Sequence, residues 1–224
     1  MQKRYIIDPA FRALGFASCT VCEVHGISIP VESEEVENLK ARTLSMVLGL
    51  EDEAVMADSV LEGYRSQVAA IGRSAKKFPP AAEGLIQLIR RTRRFPSINV
   101  AVDAYNVTVC NCRLALGVHD LDRITGSVTF RLSSGGEEFR AVGSESVKRT
   151  APGDYLYADD TRVLAWLDSK DSDDVKLRPD TQNLLIVIQG TSRTSREYNR
   201  AAIGDAAERI VRFCGGAFAI SDVC

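Results

Sequence analysis

Between Val100 and Cys112 the chain reads VAVDAYNVTVCNC, an apolar stretch with no clean solvent face. A helix over this stretch is buried nearly all round. Three polar residues then stand out, Asn99, Asp103 and Asn106, whose spacings of four and three place them on one strip of the helix. Buried amides and carboxylates are unfavourable unless each finds partners, so the strip is a candidate pocket wall. The same residues also have a structural explanation. Pro96-Ser97 reads as a helix start, with Ser97 or Asn99 as the N-cap. Asp103 and Asn106 lie beyond the first turn, so they belong either to a closed structural network or to a site.

Tyr5 to Ile7 reads as a short strand, Asp8-Pro9 as the start of a brief helix, and Ala17 to Val24 as a second strand. Val31 to Leu48 repeats Val36, Leu39, Thr43, Leu44 and Val47 at three- and four-residue steps over an acidic outer face, which predicts a helix. A second helix is expected over Asp52 to Ile71 and a third, introduced by Pro79-Pro80, over Ala81 to Arg93. After the central helix the period shortens. Strands are expected at Ser127 to Leu132, Glu138 to Val142, Asp154 to Tyr157, Val163 to Leu167 and Leu184 to Gln189, with turns at Ser134-Gly135-Gly136 and Pro152-Gly153-Asp154. A last helix over Arg196 to Phe213 stops at Gly215-Gly216. The order predicts an α+β fold, helix-rich first and sheet-rich later.

With 224 residues and 45% apolar content the chain can bury a substantial core. The 28 basic and 30 acidic residues leave a net charge of -2, which argues against a globally basic nucleic-acid binder. The charges are nonetheless uneven. Acids gather in Glu32 to Glu37 and Glu51 to Asp58, whereas Arg73, Lys76, Lys77, Arg90, Arg91, Arg93 and Arg94 form a basic run beside the central segment, where a polyanion can dock. No apolar run has the length of a membrane span and Met1 to Ala10 lacks the apolar core of a secretory signal, so a cytoplasmic protein without membrane association is expected.

Six cysteines, at 19, 22, 110, 112, 214 and 224, do not suggest a disulfide scaffold in a chain of this size. Cys19 and Cys22 have a zinc-knuckle gap, but a strand sends residues three apart to opposite faces, and Cys110 and Cys112 diverge on a helix. No bound metal and no cofactor are expected. His25 and His119 are the chain's two histidines, which gives a serine or cysteine triad little support. The remaining polar set is Asn99, Asp103, Asn106, His119-Asp120, Asp159-Asp160, Asp168, Asp171 and Asp180, suited to positioning water and stabilising charge. Asp120 and Asp122 also read as caps or partners of Arg123, Asp159-Asp160 as a turn, and Asp180 as a cap.

Taken in order, PSIN, VDAYN, HDLDRITG, YADD, Asp171-Ser172 and DTQN at Asp180 to Asn183 resemble the tRNA-editing B3/B4 domain of the bacterial phenylalanyl-tRNA synthetase beta subunit. Lys77-Phe78-Pro79 ahead of Pro96 to Asn99 is similar to free-standing relatives of that domain. The resemblance implies a B3/B4-like α+β fold, with a helix-rich N-terminal part packed on a mixed or antiparallel sheet. It divides the chain into an N-terminal α/β portion over 1–95 and an editing core over 96–224, together one compact unit.

The implied activity is hydrolysis of the ester between a wrong amino acid and the terminal adenosine of tRNA, by a free-standing protein acting in trans. An aminoacyl ester is already activated, so an oriented water and a stabilised oxyanion suffice. By resemblance Asn106 falls on the asparagine lining the family's pocket, Tyr105 on a small hydroxyl residue and Gly117 on the pocket histidine, with His119 two positions later. Asp171 matches the pocket glutamate. Asn106, Asp171 and His119 are therefore the candidate catalytic set, Asn99, Asp103, Tyr105 and Gly117 the candidate substrate contacts, and Lys76, Lys77, Arg90, Arg91, Arg93 and Arg94 the candidate nucleic-acid contacts. The expected partner is aminoacyl-tRNA. Two alternatives stay open: a non-catalytic module binding tRNA or an aminoacyl-tRNA synthetase, and a hydrolase of a small aminoacyl compound.

Overall fold

The structure, a computed structural model, describes residues 4–16 and 19–223. The chain begins with β1 (Tyr5–Ile7), a one-turn helix α1 (Pro9–Arg12) capped by Asp8, and β2 (Cys19–His25). Ala17 and Ser18, where the second strand was expected to begin, lie outside the described residues, as do Met1 to Lys3 and Cys224. Helices α2 (Glu34–Leu48), α3 (Asp52–Met56), α4 (Ser59–Ala70) and α5 (Ala81–Thr92) follow. The single helix expected over Asp52 to Ile71 is two. Asp58 breaks it by accepting from the backbone N–H groups of Val60 and Leu61, at 3.0 Å each, and so opens α4 as its N-cap. Ser33 likewise caps α2, leaving Val31 outside the helix and exposed.

The central helix α6 (Val100–Cys112) is buried over ten of its residues, as its composition requires, and Asn99 is its N-cap. Strand β3 (Leu116–Asp120) comes next, then a short 3-10 turn at Leu121–Arg123, β4 (Val128–Leu132), β5 (Glu138–Phe139), β6 (Lys148–Arg149), β7 (Tyr155–Ala158), β8 (Val163–Trp166) and β9 (Lys170–Asp171). The chain continues through β10 (Asn183–Ile188), α7 (Arg196–Cys214) and β11 (Ala217–Val223). The fold is α+β.

Two sheets organise the molecule. One is five-stranded and mixed, ordered β1-β4-β7-β8-β9 with β1 parallel to β4; the other is four-stranded and antiparallel, ordered β11-β2-β10-β3. The side-chain period of a strand explains the layering. On β10, Leu184, Ile186 and Ile188 join one core cluster with α2, α5, α6 and α7, while Leu185 and Val187 join a second cluster with Phe130, Tyr155, Tyr157 and Trp166 of the other sheet. On β2, Cys22 and Val24 point to the helices and Cys19 and Val21 to the five-stranded sheet, so the two cysteines diverge as their spacing requires. The four-stranded sheet is thus a middle layer buried on both faces along β2 and β10, while its edge strand β11 is largely exposed, and on β3 Leu116 and Val118 belong to the helical side.

No helix among the described residues is long and apolar enough to cross a membrane.

Candidate functional site

Between the two sheets lies a pocket of about 70 Å³, walled by Gly117 of β3, Tyr157 of β7, Ala165 of β8 and Val187 of β10. Its floor is the β8–β9 connection, Asp168 to Asp171, and its rim is Ala81 at the start of α5. The connection is unusual because Leu167 and Asp168 take φ of 58° and 48° in succession. Two adjacent side-chain-bearing residues in the left-handed region are unfavourable by about 1–2 kcal/mol each and persist only where the surroundings fix them. Here Leu167 N donates to Tyr155 O at 3.2 Å, and the Asp168 carbonyl accepts from Ala81 N at 2.8 Å. The Gln189 side-chain amide donates to the Asp168 carboxyl.

The pocket is electrostatically closed in on itself. Burial raises Asp168 to about 8, with the Asp171 charge adding to it and the Gln189 amide and Tyr155 hydroxyl opposing. Asp171 is half-buried on β9, and desolvation raises it to about 7 against the pull of the Val118 amide. His119 is fully buried and lowered to about 3 by desolvation, so its ring is neutral at physiological pH. His119 Nε2 shares a hydrogen bond of 2.6 Å with Tyr157 Oη, while Nδ1 has no partner.

These groups converge on Gly117. A Cβ built there would stand 3.1 Å from His119 Nε2 and 3.2 Å from Asp171 Oδ1, and it would collide with the Tyr157 hydroxyl. Gly117, His119 and Asp171 therefore meet at one point. Tyr105 on α6 is partly buried, and its hydroxyl is raised by burial and by the charges of Asp171 and Asp103. Lys170 stands exposed at the pocket rim.

The rest of the polar strip on α6 lies elsewhere. Asn99 accepts from Val102 N at 2.9 Å as the helix cap. Asp103 is engaged twice, by Ile98 N at 3.0 Å and by Lys40 Nζ of α2 at 2.8 Å, and Lys40 also donates to Ser97 and Glu37. Asp103 and Lys40 are 4% and 3% exposed, so the strip's centre is a buried ion pair tying α2 to α6. Asn106 is buried one turn further on and is not among the residues lining the pocket. Asp120 caps the 3-10 turn and pairs with Arg123 at 3.3 Å, and Asp159 accepts from the backbone of Thr161 and Arg162 as a turn residue.

The basic run is divided by α5. Lys76 and Lys77 precede its N-terminus, the end at which Ala81 lines the pocket, and Lys76 borders a separate cleft with Met56, Arg65 and Gln87, whereas Arg90, Arg91, Arg93 and Arg94 lie at its far end, roughly 18 Å away for twelve helical residues. Arg90 pairs with Asp52, while Arg91, Arg93, Arg94, Lys76 and Lys77 are exposed.

Sequence reasoning left Asp168 among unassigned polar residues and passed over Gln189, Tyr157 and Lys40. Gln189 carried a weak signal, as a polar residue closing the apolar run LLIVI. Lys40 carried none, since its place on an acidic helix reads as solvated.

The B3/4 domain family matches residues 63–215 of the chain. Among solved structures, an N-terminal fragment of the phenylalanyl-tRNA synthetase beta subunit from Pyrococcus horikoshii is similar over 100% of this chain and 55% of the fragment, at 11% identity and a TM-score of 0.52. The chain thus spans about half the length of that fragment, and at this identity the likeness is one of fold. No curated protein sequence matches the chain.

Proposed function

The chain belongs to the B3/4 domain family, and on that premise we propose that it is a free-standing aminoacyl-tRNA deacylase that hydrolyses the ester of mischarged tRNA with a positioned water. The observation that carries this reading is the meeting of Tyr157, His119 and Asp171 over the bare backbone of Gly117. With no side chain on Gly117, the Tyr157 hydroxyl and the Asp171 carboxyl reach the pocket that Gly117 lines, where an ester carbonyl and a water would find them as polar partners.

Asp171 is the water's base in this scheme. An ionised Asp171 takes a proton from the water as its oxygen attacks the ester carbon, and the ribose oxygen leaves and regains a proton as the acid and the free tRNA form. A neutral His119 with its proton on Nε2 leaves only a lone pair at the unpartnered Nδ1, and it frees the Tyr157 O–H to donate to the developing oxyanion. His119 is then a positioning residue for Tyr157. Lys170 at the pocket supplies positive charge for the phosphates of the tRNA 3′ end, and Lys76-Lys77 ahead of α5 add to it on the approach.

One feature favours a second reading, a non-catalytic module that binds tRNA or a synthetase: the Tyr157 hydroxyl already occupies space above Gly117, which narrows the pocket. Incubation with a panel of labelled cognate and noncognate aminoacyl-tRNAs tests both. Ester loss is the expected result. Tight tRNA binding without ester loss would establish the module, and turnover of free aminoacyl esters alone would mark a small-molecule hydrolase.

A further inference from the structure

Three buried polar atoms around the pocket have no hydrogen-bond partner: Asp168 Oδ2, Gln189 Oε1 and Ser169 Oγ. Their residues are 8%, 2% and 8% exposed, and all three line the same small space as Asp171. Tyr155 Oη faces the Asp168 carboxyl but stays outside hydrogen-bonding geometry. Orphaned buried polar groups are rare because each forfeits its hydration, so three in one pocket point to a missing ligand.

The chemistry of that ligand follows from the atoms. A carboxylate oxygen and an amide oxygen are acceptors, and the serine hydroxyl can serve as one. An anion would find no donor in the amide oxygen and would be repelled by the carboxyls of Asp168 and Asp171 wherever they ionise. An ammonium has three donors and no acceptor, which matches the set in number and sign. At about 70 Å³ the pocket is too small for a nucleoside, whereas an amino group and its α-carbon fit beside the short apolar walls of Ala115, Ala165 and Val187.

We infer that Asp168, with Gln189 and Ser169, forms a binding site for the substrate's α-ammonium group, so that the protein accepts aminoacyl esters with a free amino terminus and rejects N-acylated ones. This rests on the deacylase reading and sharpens it, because it separates aminoacyl-tRNA from peptidyl-tRNA and from formylated initiator tRNA. The strained turn at Leu167-Asp168 is explained by the same site, since it aims the Asp168 carboxyl into the pocket. Asp168 is also enclosed by Tyr155 and Tyr157 of β7, Tyr64 of α4, Cys19 of β2, and Asp171 and Lys170 of β9. Among the first five none is cationic, and Lys170 is exposed at the rim. When empty, the site tends to hold a proton on its carboxyls; an incoming ammonium expels it to the buffer.

The test is calorimetric titration of the whole protein with amino acid amides of increasing side-chain size and with their N-acetyl counterparts, in two buffers of different ionisation enthalpy. At least one free-amino amide is expected to bind with proton release near neutral pH, and its N-acetyl form at least about tenfold more weakly. Asp168→Asn is expected to weaken the amide by a similar factor and to abolish the proton release. Equal binding of the two forms, binding without proton release, or no binding by any amide would overturn the inference without recourse to a variant. Deacylation assays on aminoacyl- and N-acetyl-aminoacyl-tRNA separate the two proposals. Equal hydrolysis of both sinks the ammonium site and leaves the deacylase standing, whereas amide binding with no hydrolysis of any ester sinks the deacylase and leaves the ammonium site.

Discussion

The hydroxyl of Tyr157 occupies the space that a side chain on Gly117 would need, so the two positions exclude one another. Gly117→Ala is therefore expected to overpack the layer between the sheets, lowering stability by about 1–3 kcal/mol and breaking the 2.6 Å bond from Tyr157 to His119. Tyr157→Phe removes the obstructing atom. In the double variant the penalty should shrink, giving a coupling of about 0.5–3 kcal/mol in chemical denaturation. Strict additivity would mean that the collision is relieved elsewhere.

Asp168 has a pH signature. Its carboxyl titrates at about 8 in the folded chain against 3.8 for the unperturbed group, so between those values the native state binds the extra proton. Stability from this group is then complete below about pH 4 and declines as pH rises toward 8. Asp168→Asn keeps an acceptor for Gln189 and cannot ionise. Melting curves at pH 8–9 should show the variant more stable by about 1–3 kcal/mol, with the difference vanishing near pH 4. His119 acts in the opposite sense, since a histidine lowered to about 3 withdraws stability as pH falls below its ordinary 6.5.

If Asp171 takes the proton from water, turnover requires its ionised form. Single-turnover deacylation should rise with pH and level off above about 7, the value to which burial raises this carboxyl. Asp171→Asn should remove the rise and slow the reaction by about 10²–10⁴-fold while tRNA affinity is retained. A pH-independent rate in the wild type would remove Asp171 from the chemistry.

The Lys40–Asp103 pair predicts a large stability effect far from the pocket. Lys40→Met leaves the Asp103 carboxylate buried with only the Ile98 amide, and breaking a buried pair from one side costs about 3–5 kcal/mol. Lys40→Met with Asp103→Leu should recover much of it. Urea denaturation of the single and double variants decides this, and a single variant within 1 kcal/mol of wild type would refute a buried pair.

How far the sequence anticipated this arrangement depended on whether a residue's partner is near in sequence. The central helix, its burial and the Asn99 cap could be read directly, because period and capping are local. The divergence of Cys19 and Cys22 could be read for the same reason. Strands β3 and β11 were not anticipated: LGVHD contains a glycine and ends in polar residues, and AFAISDV follows a glycine pair that reads as a terminus. Both are set by pairing with β10 and β2, which local propensity does not register. The resemblance assigns Gly117, His119 and Asp171 to one pocket, and in the fold the three meet at Gly117. Asp168, Gln189 and Lys40 needed the fold, since their partners lie 21 and 63 residues away.

The division of the basic run makes its two ends separable by experiment. If the tRNA 3′ end enters at the pocket, Lys76→Glu with Lys77→Glu should weaken binding more than Arg91→Glu with Arg94→Glu, and each lost phosphate contact should flatten the salt dependence by about 0.7–0.9 log units per decade. Affinities measured across a salt series check this, and a larger effect from the arginines would place the RNA along the far end of α5.

Strand β2 lies between β10 and β11 in the middle sheet, with His25 opposite Asn183 and Ala217. During synthesis the early strand emerges long before either neighbour exists. At about 5–20 residues per second the ribosome needs roughly 8–30 s to supply β10, and through that interval Cys19, Val21, Cys22 and Val24 have no sheet to join. The chain therefore carries its own window of vulnerability, in which a nascent apolar strand is exposed, and a gene fragment beginning at Gly63 would deliver β10 and β11 without the strand that joins them.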